Sequence, residues 1–243
     1  KGIKLLKEAG IQVHLGLCKK ESLDLNKAFI HRNITKKAFG VFKWAMSIDG
    51  RIALKNGHSK WITNQESRSL VHSYRSEFDA IIIGGNTLRK DNPLLTTRGL
   101  KTPEPLRVVF TKTLDLPRKS KLWDCNKAKT LVVYDSSSAN EKLLDRIPEC
   151  VEVEKLATDN PKLLSKLLAK RGCNKVLWEC GPNLATAAIK SGCIQEIKAF
   201  IAPKILGGEN SMNPFGDFEF GEMHEIIKLS KSQLSLIGDD ICV

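Results

Sequence analysis

Two residues carry charge where the surrounding sequence is apolar. Lys43 sits inside Phe42-Lys43-Trp44-Ala45, and Glu179 ends the run Val176-Leu177-Trp178. Burying an ammonium or a carboxylate without a partner is expensive, so each is expected to face a polar cleft. The carboxyl ends of strands are also where ligands of open α/β sheets collect. Arg75 and Arg98 add guanidinium groups, whose planar fork suits phosphate oxygens. A lone arginine on a helix reads equally well as surface.

Two glycine-bearing strand ends could receive an anionic ligand. One is Glu179-Cys180-Gly181-Pro182-Asn183-Leu184-Ala185, an apolar strand running through a turn into a helix. Backbone N–H groups at a helix start lack partners, and the helix dipole favours an anion such as a pyrophosphate there. The other is Gly84-Gly85-Asn86-Thr87, running on to Asp91-Asn92-Pro93. Here the glycines would let a ligand approach the backbone, with a hydroxyl at Thr87 and a carboxylate at Asp91. Both segments also read as plain turns, because many α/β turns of this form bind nothing.

The elements that must position these groups follow from periodicity. Strands are expected at residues 39–46, 80–83, 106–110, 130–134, 176–178 and 197–201. Thr63-Asn64-Gln65-Glu66 reads as a capping box opening a helix that carries Leu70, Val71 and Tyr74, with Phe78 continuing the stripe. Asn160-Pro161 opens a second helix with Leu163, Leu164, Leu167 and Leu168 on its buried stripe. A third helix runs over 184–190. Residues 1–37 read as two helical pieces around a short strand at 11–15, and 226–229 and 234–237 as two late strands, an antiparallel pair. This alternation implies a three-layer α/β domain, with a mainly parallel central sheet and antiparallel C-terminal strands.

Composition narrows the chemistry. Hydrophobic residues at 42% and charged residues at 27% are ordinary globular values, and no apolar run approaches a membrane span. The start, Lys1-Gly2-Ile3, lacks both a Met and the parts of a signal peptide, and reads as cut from a longer chain. Seven scattered cysteines without a Cys-x-x-Cys fit reduced thiols in the cytoplasm better than disulfides or a structural zinc. The formal charge of +12 admits three readings: solvated surface lysine, nucleic-acid binding, or attraction of small anions. With 6% aromatic residues and no basic stripe interleaved with rings, the nucleic-acid reading is the weakest. There is no Walker loop, no Gly-x-Ser-x-Gly elbow and no zinc-deaminase signature. His14, His31, His58, His72 and His224 read as surface or packing residues.

Several motifs in consistent order carry a resemblance. They are Lys43-Trp44-Ala45-Met46-Ser47-Ile48-Asp49-Gly50-Arg51-Ile52-Ala53, Ser59-Lys60-Trp61-Ile62-Thr63, Gly84-Gly85-Asn86-Thr87 with 91–98, Glu179-Cys180-Gly181-Pro182-Asn183-Leu184, and Ala202-Pro203-Lys204-Ile205-Leu206-Gly207-Gly208. From about residue 38 to 243 the chain resembles the reductase domain of the bifunctional riboflavin-biosynthesis deaminase/reductase. Residues 1–37 resemble the tail of the deaminase domain, so zinc would belong only to a missing upstream part.

The resemblance implies a dihydrofolate-reductase-like fold, NADPH as hydride donor, a phosphorylated ribosylamino-pyrimidine as substrate and a homodimer. It implies that Ala45, Trp61, Thr87, Asp91 and the turn Gly181, Pro182, Asn183, Leu184, Ala185, Thr186 and Ala187 line the cofactor site. Ser59, Arg75, Leu95, Arg98 and Glu179 would hold the substrate, Arg75 and Arg98 clamping its phosphate, and Lys43 would sit beside the ribose. Lys43 and Glu179 are the expected catalytic pair. Cys180 stands where a second glycine is common. Thr111-Lys112 stands where a serine often meets the adenosine 2′-phosphate, and Lys112 could supply charge instead. Reduction of the undeaminated diaminopyrimidine, reduction of a pterin on the same scaffold, and a basic nucleic-acid-binding module are the alternatives.

Overall fold

The computed structural model describes residues 1–243. Three short helices, α1 (Gly2–Glu8), α2 (Lys19–Leu25) and α3 (Lys27–Thr35), precede the first strand, β1 (Phe39–Ser47). There follow α4 (Gln65–Arg75), β2 (Ala80–Gly84), α5 (Gly85–Asp91), β3 (Leu106–Thr111), β4 (Thr130–Asp135) and β5 (Glu152–Leu156). The chain then forms α6 (Pro161–Lys170), β6 (Lys175–Trp178), α7 (Pro182–Lys190), β7 (Glu196–Ala202), β8 (Ser235–Ile237) and β9 (Asp240–Cys242).

The strands form one sheet in the order β5-β4-β3-β2-β6-β1-β7-β9-β8. All neighbours from β5 to β7 are parallel, and β9 pairs antiparallel with both β7 and β8. The central strand β2 is apolar on both sides because both faces are covered, as parallel sheets require. Ile81 and Ile83 pack in one layer with Phe78 and with Leu88 of α5. Ile82 packs in the opposite layer with Leu164 and Leu168 of α6 and Ala185 and Ala188 of α7. The expected three-layer, mainly parallel architecture with antiparallel C-terminal strands is therefore the one observed.

Neighbouring β2 and β6 send the chain in opposite directions. After β2 it crosses by α5 towards β3; after β6 it crosses by α7, on the other face, towards β7. A crevice opens at such a switch point. Both glycine-bearing segments lie there, and the Glu179 N–H donates to the Ile82 carbonyl at 2.9 Å.

Three local expectations are corrected and one strand is added. Residues 11–15 form no strand: no neighbour offers a ladder, and Ile11 and Leu15 are exposed. Residues 226–229 form no strand either; the C-terminal hairpin is β8–β9, turning at Gly238 with φ +57°. The cap of α4 is Asn64 rather than Thr63. The Asn64 Oδ1 accepts from the Ser67 N–H at 2.8 Å, while its Nδ2 donates to the Ile237 carbonyl at 2.6 Å. β5 is an added edge strand, whose Glu152, Glu154 and Lys155 hide the strand pattern in charge.

Arg107, on β3, is wholly buried and has no carboxylate beside it. Its guanidinium donates instead to the carbonyls of Leu122, Asp124 and Ala128 at 2.6–2.9 Å, and to Leu94 at 3.4 Å. One cation thus gathers two irregular segments, 91–98 and 121–128, above the sheet. Arg107→Leu strands three buried carbonyls and is expected to cost roughly 3 kcal/mol or more in urea unfolding. A loss below about 1 kcal/mol would show that water replaces the guanidinium.

Candidate active site

The crevice at the carboxyl ends of the strands encloses about 960 Å³. Its floor is β1 and β7, through Lys43, Ala45 and Phe200, and α4 forms one side through Arg68, Val71, His72 and Arg75. Loop residues 59–63 and 91–98 and the segment around Lys121 and Lys127 complete the rim. Seven lysines and arginines line it against two aspartates, Asp91 and Asp124, so the cavity is strongly positive.

Arg75 and Glu179 meet inside this field. The Arg75 Nε donates to Glu179 Oε1 at 2.7 Å and its Nη2 to Oε2 at 3.0 Å, a two-pronged pair. Their side chains are only 11% and 12% exposed. The third nitrogen, Nη1, is 3.2 Å from the Thr96 carbonyl and 3.3 Å from His72 Nδ1. Each guanidinium nitrogen therefore has a protein partner, with one Nη2 hydrogen left over. Burial alone would raise the Glu179 carboxyl, but the charge and hydrogen bonds of Arg75, joined by Lys43, hold it down at about 2. Glu179 is thus a fixed anion at neutral pH.

Lys43 is the counterpart. No protein acceptor takes its Nζ, which lies 5.6 Å from the centre of the Phe200 ring. Burial pushes its pKa below the usual lysine range; Glu179 opposes the shift and Arg75 adds to it. His72 is also pushed down, first by burial and then by the charges of Arg75 and Arg98, and stays neutral at pH 7.

Eight of the nineteen expected site residues line this cavity: Lys43, Ala45, Ser59, Trp61, Arg75, Asp91, Leu95 and Arg98. Glu179 joins through Arg75. Arg98 makes no hydrogen bond within the protein, and its donors are free. Trp61 is exposed and stacks against the Arg68 guanidinium at 4.5 Å. The 202–208 motif is a brace for this rim: Lys204 Nζ donates to the Ile62 carbonyl at 2.6 Å, and Asp49 accepts from the Leu206 and Gly207 N–H groups at 3.1 and 2.7 Å.

The Gly181 turn lies next to the end of β2, where a Cβ on Gly84 would stand 3.5 Å from the Leu184 side chain. A Cβ on Gly181 would meet nothing within 4 Å. The N–H groups of Gly181, Asn183 and Leu184 have no protein acceptor, and α7 carries no side-chain cap. An anionic diphosphate therefore fits this helix start. Cys180 turns its thiol into the α6–α7 core layer, so it does not obstruct the turn.

Other expectations fall elsewhere. Gly85 is required by packing rather than by a ligand, since a Cβ there would sit 2.9 Å from Thr111 Oγ1. Thr87 is half-buried on α5, outside the crevice lining. Ala185 and Thr186 are buried, Thr186 Oγ1 accepting from the Gly216 N–H at 2.9 Å, and Ala187 lies one turn into the helix. Lys112 is paired at 3.6 Å with Asp159 on the surface. The reading also missed Arg68, His72 and Gln65, although the spacing Gln65, Arg68, His72, Arg75 is a helical stripe of polar groups. Lys121 and Lys127 had no such signal, because their segment is brought to the rim by distant partners, Arg107 and the Asn92 side chain.

Residues 38–243 match the family described as the RibD C-terminal domain. The riboflavin biosynthesis protein RibD of Synechocystis is 43% identical over 99% of this chain, which spans 65% of that protein's length. The riboflavin biosynthesis protein PYRR, chloroplastic, of Arabidopsis thaliana is 39% identical over 93% of this chain, spanning 38% of its own. The solved RibD of Acinetobacter baumannii superposes with a TM-score of 0.84 at 28% identity, covering 99% of this chain and 67% of that one.

The depressed carboxyl gives a signed test. A group held below its ordinary value stabilises the fold fully above about 4.5 and loses that contribution as pH falls towards about 2. Arg75→Met leaves Glu179 buried without its cation. It is expected to cost about 3–5 kcal/mol at neutral pH, and to move the Glu179 carboxyl above its ordinary value in an NMR titration. An unmoved carboxyl would mean that Arg75 is not its partner in solution.

Proposed function

Because the chain belongs to the RibD C-terminal domain family, we propose that it is an NADPH-dependent reductase of riboflavin biosynthesis, reducing the ribosyl group of 5-amino-6-(5-phosphoribosylamino)uracil to the ribityl group. The observation that carries this reading is the meeting of a fixed carboxylate, an uncommitted lysine and a free arginine in one positive crevice, beside a helix start with open amides.

NADPH, when bound, supplies the hydride that reduces the first ribose carbon. The chain's own residues bind and orient. The amides at Gly181, Asn183 and Leu184 take the pyrophosphate, and Ala45, Trp61, Thr87 and Asp91 flank the cofactor. Arg98, with Ser59 and the Leu95 backbone, takes the substrate phosphate. Arg75 is reassigned: its donors hold Glu179, so it positions that carboxylate instead of clamping phosphate. Glu179 accepts from ribose hydroxyls. Lys43 faces the same ribose, and burial, by lowering its pKa, makes its proton easier to release than that of an ordinary lysine. Anchoring of the distant phosphate holds the reacting carbon in place, which makes orientation the main source of acceleration. Thr111 and Lys112 would meet an adenosine 2′-phosphate only if Lys112 left Asp159.

The wider assembly belongs to the same reading. Residues 1–37 are the end of a deaminase domain that would hold any zinc; their exposed Leu5, Leu15, Leu17 and Phe29 support a covering partner unit, as do the greater lengths of the relatives. A homodimer would cover the edge strand β8, where Leu236 is exposed. The scattered thiols support a cytoplasmic or similarly reducing setting. No helix is long and apolar enough to cross a membrane. A concave rather than striped cationic surface favours a small anion over nucleic acid.

NADPH oxidation measured with the deaminated and undeaminated ribosylamino-pyrimidine phosphates, and with a dephosphorylated substrate, tests the proposal. Turnover is expected to prefer the deaminated compound and to collapse without phosphate; efficient turnover of the phosphate-free compound or of a pterin would overturn it. Arg98→Ala is expected to raise KM for the phosphorylated substrate about 10- to 100-fold, leaving NADPH affinity unchanged. Equal weakening of both would move Arg98 to the cofactor side.

A further inference from the structure

All seven cysteines are free thiols. Cys173, Cys193 and Cys242 are buried, Cys180 faces a core layer, and Cys18 is exposed at the start of α2. Cys125 and Cys150 differ from these because they face one another. The Cys125 thiol donates to the Cys150 carbonyl at 3.2 Å, and the Cys150 thiol approaches the Trp123 carbonyl at 3.6 Å. Each sulfur therefore reaches the backbone beside the other residue. Cys150 is exposed and Cys125 half-buried, so the pair can be reached from solvent.

The setting gives the pair a consequence. Cys125 belongs to the segment 121–128, whose Lys121, Asp124 and Lys127 line the positive crevice. That segment has a three-residue 3-10 turn at Lys121–Trp123 and no other regular structure. It is held by the buried side chains of Leu122 and Trp123 and by the Arg107 bonds to its carbonyls. Cys150 precedes Val151, which is anchored in the same core layer as Trp123. A covalent link would thus tie the crevice wall to the entry of β5.

We propose that Cys125 and Cys150 are a redox-active thiol pair, converted by a low-molecular-weight disulfide into an intramolecular disulfide that braces the wall carrying Lys121 and Lys127. The exchange runs in two steps. The exposed Cys150, as thiolate, attacks one sulfur of the small disulfide, forming a mixed disulfide and releasing one small thiolate. Cys125 then loses its proton and attacks the Cys150 sulfur, releasing the second small thiol. Two protein thiols lose two electrons in total, and the small disulfide gains them. Burial, followed by hydrogen bonding and charge from Cys150, pushes the Cys125 thiol up to about 11. This fits Cys125 as the thiol that waits and Cys150 as the one that meets the oxidant. The inference concerns the wall itself and stands apart from the reductase reading.

The test uses the full chain carrying Cys18→Ser, so that the other exposed thiol takes no part. On incubation with glutathione disulfide, the free-thiol titre is expected to fall by two. Peptide mapping should join residues 125 and 150, no glutathione should be retained, and dithiothreitol should reverse the change. Hydrogen exchange of the 121–128 amides should slow several-fold in the oxidised form. With Cys125→Ser the reaction should stop with glutathione on Cys150, and with Cys150→Ser the exchange rates should stay at the reduced level. Glutathione retained on Cys150 in the parent, a link to any other cysteine, or a 125–150 link that leaves 121–128 exchange unchanged would each overturn the proposal.

Discussion

A guanidinium and a carboxylate that have both left water can coexist only as a pair, and the pair can form only where their backbones bring them together. Arg75 ends α4, and Glu179 follows β6 at the point where the sheet's winding reverses. Their two-pronged bond fixes the distance between that helix end and that strand end. Such pairs return little net stability, because desolvation offsets the attraction. Their effect is geometric: Glu179 is held in one orientation, and the Nε and one Nη2 hydrogen of Arg75 are spent on it. The rest of the site adjusts to this arrangement. Lys43 is left as the cation without a partner, His72 is pushed towards its neutral form by burial and then by the charges of Arg75 and Arg98, and Arg98 is the arginine still free to bind an anion.

Arg107 meets the same difficulty with a different solution. It has no carboxylate, so peptide carbonyls disperse its charge. The two buried arginines therefore divide the construction of the crevice. Arg75 locks the floor where the chemistry would occur, and Arg107 draws two irregular walls over it. Asp49 and Lys204 do for the loop 48–62 what Arg107 does for the far side, binding backbone groups that no helix or strand satisfies. Functional loops on a rigid sheet need such polar anchors, because they bury too little apolar surface to hold themselves.

This division explains what could be read from the residues alone. β2 was legible because Ile81, Ile82 and Ile83 are buried on both faces, and α6 because Asn160-Pro161 and its leucine stripe agree. Local signals and tertiary packing say the same thing in those elements. The strand expected at 11–15 fails because alternation states a preference and a ladder needs a neighbour. The α4 cap moves to Asn64 because the C-terminal hairpin, some 170 residues away, offers it the Ile237 carbonyl. In the site, Lys43 and Glu179 stood out as charges in apolar runs. Arg75 was visible as a cation, but its commitment to Glu179 was not, since the two lie 104 positions apart. Lys121 and Lys127 belong to a segment that reads as loop, and nothing near them in sequence points to Arg107.

The balance of charge in the crevice follows from the same commitments. Of its cations, Arg75 is neutralised locally by Glu179, while Lys43, Arg98, Lys121 and Lys127 form no ion pair. The surplus is confined between low-dielectric walls, which focus its field on a small volume. The field is therefore concentrated in a concave pocket of about 960 Å³. The open amides at the Gly181 turn, two residues beyond Glu179, add a second place where an anion could bind. A ligand pair with one phosphate at each end and an uncharged, oxygen-rich junction between them would satisfy both at once. Its junction would then rest against the fixed carboxylate and the unpaired lysine.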